Sequence, residues 1–344
     1  MSQLKVNSIV DASGGSNAQL YGVASPPNSM GFRNRILNGG MVIDQRNAGA
    51  SVTPTNGAYL LDRYQAILSQ TSKYSVQQVT DAPTGYTNSM RITSLSAYSV
   101  VASDIFHVLQ KIEGFNVADL AWGTASAQAI TISFWAKSSL TGTFGGSVVN
   151  SAEDRSYPFS YTINAANTWE YKTVSVAGDT TGTWVTNNGI GLRLHFTIGM
   201  GSNYTATAGA WTSGAKFAPT GATSVVGTNG ATLAITGVQL EAGTNASPFE
   251  RRDYGRELMM CQRYYSRQGI FGRGNISAHI TVPINVNMRT TPSVTTISSY
   301  TGDGAAYTVY TDAIATNNFD VKVTWTGGGS TSAYSAEFGA SAEL

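Results

Sequence analysis

The stretch from Ala231 to Arg267 holds the only convincing helical period in this chain, and β-type sequence lies on both sides of it. Tyr254, Leu258, Cys261 and Tyr265 recur at i, i+4, i+7 and i+11, which is one face of a helix from about Tyr254 to Tyr265. Asp253 is its expected N-cap. Arg263 and Arg267 stand near its C-terminal end, where the helix dipole favours cations. Just before it, Leu233 and Ile235 alternate with polar or small residues, and Val238 and Leu240 resume after a one-residue shift at Gly237. That pattern is a strand with a bulge at Gly237. Pro248 keeps the chain out of regular structure until the helix begins. One short helix between two β regions is a joint. Its face of Leu258, Cys261 and Tyr265 turns either to its own domain or to the axis of an oligomer.

The composition fits many short strands and tight turns. Of 344 residues 37 are glycine, and only 12% are charged, about half the usual share. An apolar content of 42% suffices for a core. Neutral polar surfaces of this kind suit contact with glycans, close symmetric packing, or simply a rigid exposed β-protein. A net charge of +1 leaves no electrostatic footprint for nucleic acid. No apolar run approaches the length of a membrane helix, so membrane insertion is not expected. The chain does not open with a basic region followed by an apolar run, so no Sec-type signal is expected. The single cysteine, Cys261, excludes an intrachain disulfide framework, and its place on the apolar helix face makes it a buried thiol.

In chain order the expected fold is all-β: a jelly-roll β-sandwich plus a small C-terminal β-domain, joined by one short helix, with a short extended N-terminal segment. Residues 1–30 hold few large apolar groups and cannot form a core, so they are expected to pair with a neighbouring subunit or a larger assembly, or else to be a loose N-terminus. Residues 31–252 form the sandwich. Asn38-Gly39-Gly40 reads as a turn at its start. Ala129 to Lys137 is the clearest strand, with Ile130, Ile132, Phe134 and Ala136 on one face. Trp135 lies on the opposite, half-polar face. Tyr157 to Ile163 and Trp169 to Val176 read as a hairpin. Strands at this spacing, with longer loops near Trp184 and Trp211, suit two stacked sheets. Residues 253–268 are the connecting helix. Residues 269–344 carry further short strands, too few for an easy core of their own, which trimeric packing would remedy.

Chemistry is sparse. No G-x-S-x-G, H-E-x-x-H or P-loop motif occurs, and His107, His195 and His279 lack ligand spacing. Glycoside hydrolysis needs two facing carboxylates, and sequence spacing selects no pair among Asp104, Glu113, Glu153, Asp154 and Glu170. No enzyme is expected and no cofactor. For a structural calcium, Glu241 is the one candidate ligand. Glycan binding uses aromatic faces beside neutral hydrogen-bonding groups, and Trp135, Trp184 and Trp211 are the candidates. The competing role for each is core or interface packing.

Several runs resemble bacteriophage tail-fibre-type virion proteins. They are Gly237-Val238-Gln239-Leu240-Glu241-Ala242-Gly243, Phe249-Glu250, and Cys261-Gln262-Arg263-Tyr264-Tyr265. Gln110 to Gly114, Ile132 to Lys137 and Trp169-Glu170-Tyr171 are similar to a carbohydrate-binding-module-like jelly-roll domain of such proteins, and Asn34 to Met41 resembles its start. Lys5 to Gly15 resembles their N-terminal segment, which implies docking to the particle, here through Val6, Ile9 and Val10. The resemblance implies a homotrimeric virion subunit, made in a bacterial cytoplasm, whose partners are its own copies, other phage proteins and a host surface glycan. It equally admits a structural head-fibre, decoration or tail-adaptor protein.

Overall fold

The computed structural model describes residues 32–273, 278–301, 306–327 and 333–344. Val6, Ile9 and Val10 lie outside the described residues. In chain order the strands are β1 (Tyr64–Leu68), β2 (Tyr74–Val79), β3 (Ser89–Ser94), β4 (Ile105–Glu113), β5 (Ile130–Ser138), β6 (Gly142–Val149), β7 (Arg155–Ile163), β8 (Glu170–Val176), β9 (Ile190–Met200), β10 (Thr205–Ala206), β11 (Thr212–Ser213), β12 (Ala218–Pro219) and β13 (Thr232–Ala242). Helix α1 (Tyr254–Gln262) follows, then β14 (Tyr265–Arg273), β15 (Ala278–Pro283), β16 (Ser293–Thr301), β17 (Ala306–Asp312), β18 (Asn318–Gly327) and β19 (Ala333–Ser341).

Two antiparallel sheets make the jelly-roll sandwich. Their orders are β1-β4-β9-β6-β7-β11 and β2-β3-β13-β5-β8. Period-two alternation decides which side chains enter the core. Ile130, Ile132, Phe134 and Ala136 of β5 are all fully buried. The Phe134 ring lies 5.0 Å from Tyr161 and 5.1 Å from Phe196, both on the opposite sheet. The segment carrying β10 and β12 folds back over β6, β7 and β9 and covers the outer face of the six-stranded sheet. Thr197 of β9 donates its hydroxyl to the Phe217 carbonyl there, at 2.8 Å. The outer face of the five-stranded sheet is covered in part by the loop after β13, which lies over Thr131 and Ser175 and leaves Tyr171 45% exposed.

Two local expectations are corrected. β7 and β8 are not a hairpin: β7 pairs with β6 and β8 with β5, so residues 164–169 cross from one sheet to the other. Asn167 sits at φ 57° and donates its backbone N–H to the Ser138 carbonyl, which steers the crossing. Asn38-Gly39-Gly40 is the expected turn, closed by the Met41 N–H on the Asn38 carbonyl at 3.0 Å, though it joins no strands. Asn38 is fully buried, and its side chain donates to the carbonyls of Ile43 and Asp62 and accepts from the Ile43 N–H. It replaces strand pairing for an irregular buried segment. Helix α1 stops at Gln262, three residues short of Tyr265. Asp253 does cap it, accepting the Arg256 N–H. Tertiary contacts end it: Arg63 stacks 3.6 Å from the Tyr264 ring centre and Arg46 3.6 Å from that of Tyr265. The helix face is also rotated from the expected one, with Cys261 buried, Leu258 half-buried and Tyr254 exposed.

After α1, sheets β14-β19-β16 and β15-β18-β17 enclose a core of their own. Phe319 and Phe338 meet across it at 5.5 Å, edge to face. This unit docks on the sandwich through arginines. Arg63 is buried, pairs with Glu343 and donates to the Lys111 carbonyl. Arg263 and the Tyr264 hydroxyl both donate to the buried Glu113. Arg289 donates to the Asn188 carbonyl at 2.8 Å. Burial pushes the Cys261 thiol up, so it is not an active nucleophile.

Candidate functional site

The strand register sets out the outer face row by row. Thr236, Trp135 and Tyr171 stand side by side across β13, β5 and β8, followed by Gln239, Ser133 and Thr173 and then by Glu241, Thr131 and Ser175. Between the first two rows the β13 register shifts, and the extra residue there is Gly237 at φ 62°. A β-carbon on Gly237 would lie 2.8 Å from the ring and hydroxyl of Tyr86. The glycine therefore lets Tyr86, from the loop between β2 and β3, lie down on the sheet. Gly237→Ala is expected to cost about 1–3 kcal/mol in urea unfolding, because it combines a left-handed backbone with this clash.

Tyr86 in turn lines the same groove as Trp135. The Trp135 ring centre lies 5.4 Å from that of Tyr171, tilted by 52°. Tyr86 also meets Phe249 edge to face at 5.4 Å. Phe249 belongs to the loop after β13, which polar side chains staple over the sheet. The Ser247 N–H and hydroxyl donate to Glu241, and the Glu250 N–H donates to Gln239. Farther along, Thr131 and Ser175 hold the carbonyls of Gly243 and Thr244.

The result is an open groove of about 570 Å³ with Ser133, Trp135 and Tyr171 on its floor and Tyr86, Ser247 and Phe249 along its wall. This volume lies in the ordinary range of ligand clefts, ~300–1,000 Å³. None of its lining residues is charged. Beside it, Lys137 pairs with Asp81 at 2.7 Å, and Trp169 donates its indole N–H to the same carboxylate at 3.2 Å. The Lys137 ammonium holds the Asp81 carboxyl below its usual range. Two aromatic rings tilted toward each other beside hydroxyl groups can bind an apolar ring face and its polar edge together.

Of the three candidate tryptophans, the structure places only Trp135 here. Trp184 and Trp211 join Trp122 in a separate cluster, with ring centres 4.6 to 5.5 Å apart. Each of these indole N–H groups donates to a backbone carbonyl: Gln128 for Trp122, Thr181 for Trp184 and Ala177 for Trp211. They tie loops to the sandwich core. Both oxygens of Glu241 are taken up by Gln239 and Ser247. Among the described residues no cluster of three metal-ligating side chains occurs. Tyr86, Tyr171 and Phe249 belong to the groove without having been singled out as ligand residues. Tyr171 alternates to the same face as Trp135 and was legible from its strand, whereas Tyr86 and Phe249 sit on loops without period.

No family model matches the chain, and no curated protein matches it. Among solved structures, it is similar to the enzymatically active domain of tailspike protein 4 of bacteriophage CBA120, with 11% identity over 61% of this chain and a TM-score of 0.34. It spans 22% of that tailspike chain. It is also similar to a family 11 carbohydrate-binding module of a Clostridium thermocellum cellulase, with 12% identity, a TM-score of 0.29, and coverage of 59% of this chain and 100% of that one. TmCBM61, solved in complex with β-1,4-galactotriose, shows 10% identity and a TM-score of 0.31, over 61% of this chain and 99% of the module. Overlap this loose assigns no function.

Proposed function

We propose that this protein is a glycan-binding subunit of a phage virion appendage, a fibre or spike, homotrimeric and docked to the particle by its N-terminal segment. The observation that carries the binding role is the Trp135–Tyr171 pair, held on the outer sheet face inside an uncharged groove. A half-buried indole held between its strand and the Tyr171 ring is pre-organised, and pre-organisation cuts the ordering cost of binding. The lining offers no carboxylate to protonate a glycosidic oxygen, which favours retention of a glycan over its cleavage.

The virion role rests on the sequence resemblance set out above. Oligomerisation draws support from the C-terminal unit. Phe271 of β14 and Tyr300 of β16 flank Ser335 in one row of their sheet, and both are more than 60% exposed. Ile297 on the same sheet is 44% exposed. An apolar patch of this kind on a sheet face suits contact with further copies. Three copies would raise the avidity of weak single sites.

Two measurements test the proposal. Light scattering is expected to give three times the chain mass, and a monomer overturns the trimer. An array of bacterial surface polysaccharides is expected to retain the protein, and an empty array overturns the binding role.

A further inference from the structure

The Tyr86–Phe249 pair has a second side. The groove lies on one side of it. On the other is a smaller hollow of about 190 Å³, which shares both rings as walls and is lined further by Asn34, Gly85, Arg251 and Arg252 with two carboxylates, Glu250 and Glu257. Those two carboxylates are already engaged. Glu250 accepts the Asn34 N–H at 2.5 Å and stands 3.6 Å from Arg252. Glu257 accepts the Asn38 N–H and pairs with Arg252 at 3.2 Å. Arg252 also donates to the Ile36 and Asn34 carbonyls, so it is held inside the fold.

Arg251 differs from these groups. It is exposed, and among the described residues no carboxylate lies within ion-pairing distance of it. Its guanidinium lies 4.9 Å from the Tyr86 ring centre and 5.9 Å from that of Phe249. Stacking on the partition orients the planar fork while its edge N–H groups stay available. That geometry suits bidentate recognition of an oxyanion, which an ammonium does not match.

We propose that this hollow is a second subsite, which takes an anionic substituent of the glycan bound across Trp135. The substituent is a carboxylate, as in a uronic acid, or a phosphate ester, and Arg251 is its recognising residue. The ligand class of the groove is then an acidic polysaccharide that crosses the Tyr86–Phe249 partition. This rests on the glycan-binding reading above.

The test uses the full-length protein on an array of uronate-containing, phosphate-substituted and neutral polysaccharides, with a matched set of uronates converted to methyl esters. Wild type, Arg251→Ala, Arg251→Lys and Trp135→Ala are compared after thermal melts confirm that each is folded. Wild type is expected to retain acidic glycans, with the uronate and phosphate arms showing which oxyanion is read. Esterification or Arg251→Ala should weaken retention by about 10- to 100-fold, and Arg251→Lys by less. Raising salt from about 0.05 to about 0.5 M should weaken wild type and leave Arg251→Ala nearly unchanged. Retention of neutral glycans by wild type as strong as that of acidic ones, lost in Trp135→Ala but not in Arg251→Ala, overturns the anionic subsite and leaves the groove standing. Equal retention by Arg251→Ala and wild type on acidic glycans does the same. No retention of any glycan by wild type removes the glycan reading itself, and this subsite with it.

Discussion

Replacing Trp135 and Tyr171 together with alanine is expected to weaken glycan retention by about a thousandfold while the protein stays folded. Buried aromatic anchors at binding sites commonly contribute about 2 kcal/mol or more each on truncation. Two of them give about 4 kcal/mol, or roughly three decades in affinity. The rings touch at 5.4 Å, so the double variant should fall somewhat short of the sum of the single ones. Stability should change little, by about 1 kcal/mol, because both rings stand on the outer sheet face and Tyr171 is 45% exposed. Trp184→Ala makes the contrasting control. It removes a ring packed on Trp122 and Trp211, so it should lower the thermal midpoint and leave affinity unchanged in the folded fraction. Titration calorimetry against a retained polysaccharide reads the first effect. Unchanged affinity in the double variant would remove the aromatic platform from the binding mechanism.

That contrast shows what was legible in the sequence. Alternation along β5 placed Trp135 on the outer face, because period two is a local property of the strand. The same rule applied to β8 would have placed Tyr171 beside it, but only once β8 is known to pair with β5. The 164–169 connection is short enough for a hairpin and is instead a crossing between sheets, since loop length does not encode which edge the next strand meets. Trp184 and Trp211 look like Trp135 in composition. Their difference lies in the acceptors of their indole N–H groups, the backbone carbonyls of Thr181 and Ala177, and in the Trp122 ring that both pack against. The shift at Gly237 was visible as a break in period. Its consequence, a seat for Tyr86, depends on a loop about 150 residues earlier in the chain. The docking of the C-terminal unit was not visible either. It depends on arginines stacked on Tyr264 and Tyr265, and such contacts leave no periodic trace.

Lowering the pH from 7 to 5 is expected to cost about 2 kcal/mol of stability through the buried His107, and the buried His195 beside it adds to the loss. His107 on β4 and His195 on β9 are both about 1% exposed, and their Nε2 and Nδ1 atoms lie 3.3 Å apart. Phe217 closes over them, stacked 5.0 Å from the His195 ring. The remaining nitrogens, His107 Nδ1 and His195 Nε2, have no hydrogen-bond partner among the described residues. Burial and the nearby Arg193 lower His107 from 6.5 to about 3, and burial with the His107, Arg193 and Lys111 charges takes His195 well below 6.5. His107 is therefore neutral in the fold at pH 5 and burial holds His195 toward its neutral form, while the unfolded chain protonates both below about 6.5. The unfolded state then binds more protons, so stability is full above that value and falls as the pH drops toward about 3. His107 contributes about 1.4 kcal/mol per pH unit in this window, hence about 2 kcal/mol at pH 5, and His195 acts in the same direction. Asp179 and Glu170, held low by their hydrogen bonds and ion pairs, titrate below this window. Asp62, raised by burial, acts in the opposite sense and reduces the net slope. Urea unfolding of wild type and His107→Gln between pH 5 and 7 separates these contributions. The variant should lose the His107 share of the slope, and equal slopes in the two proteins would show that the pair is already solvated or protonated in the fold. A loss of this size is a sizeable part of the ~5–15 kcal/mol that holds a typical domain folded. Protonation would break the fold first where Phe217 and the β10–β12 segment cover β9, on the side of the sandwich away from Trp135.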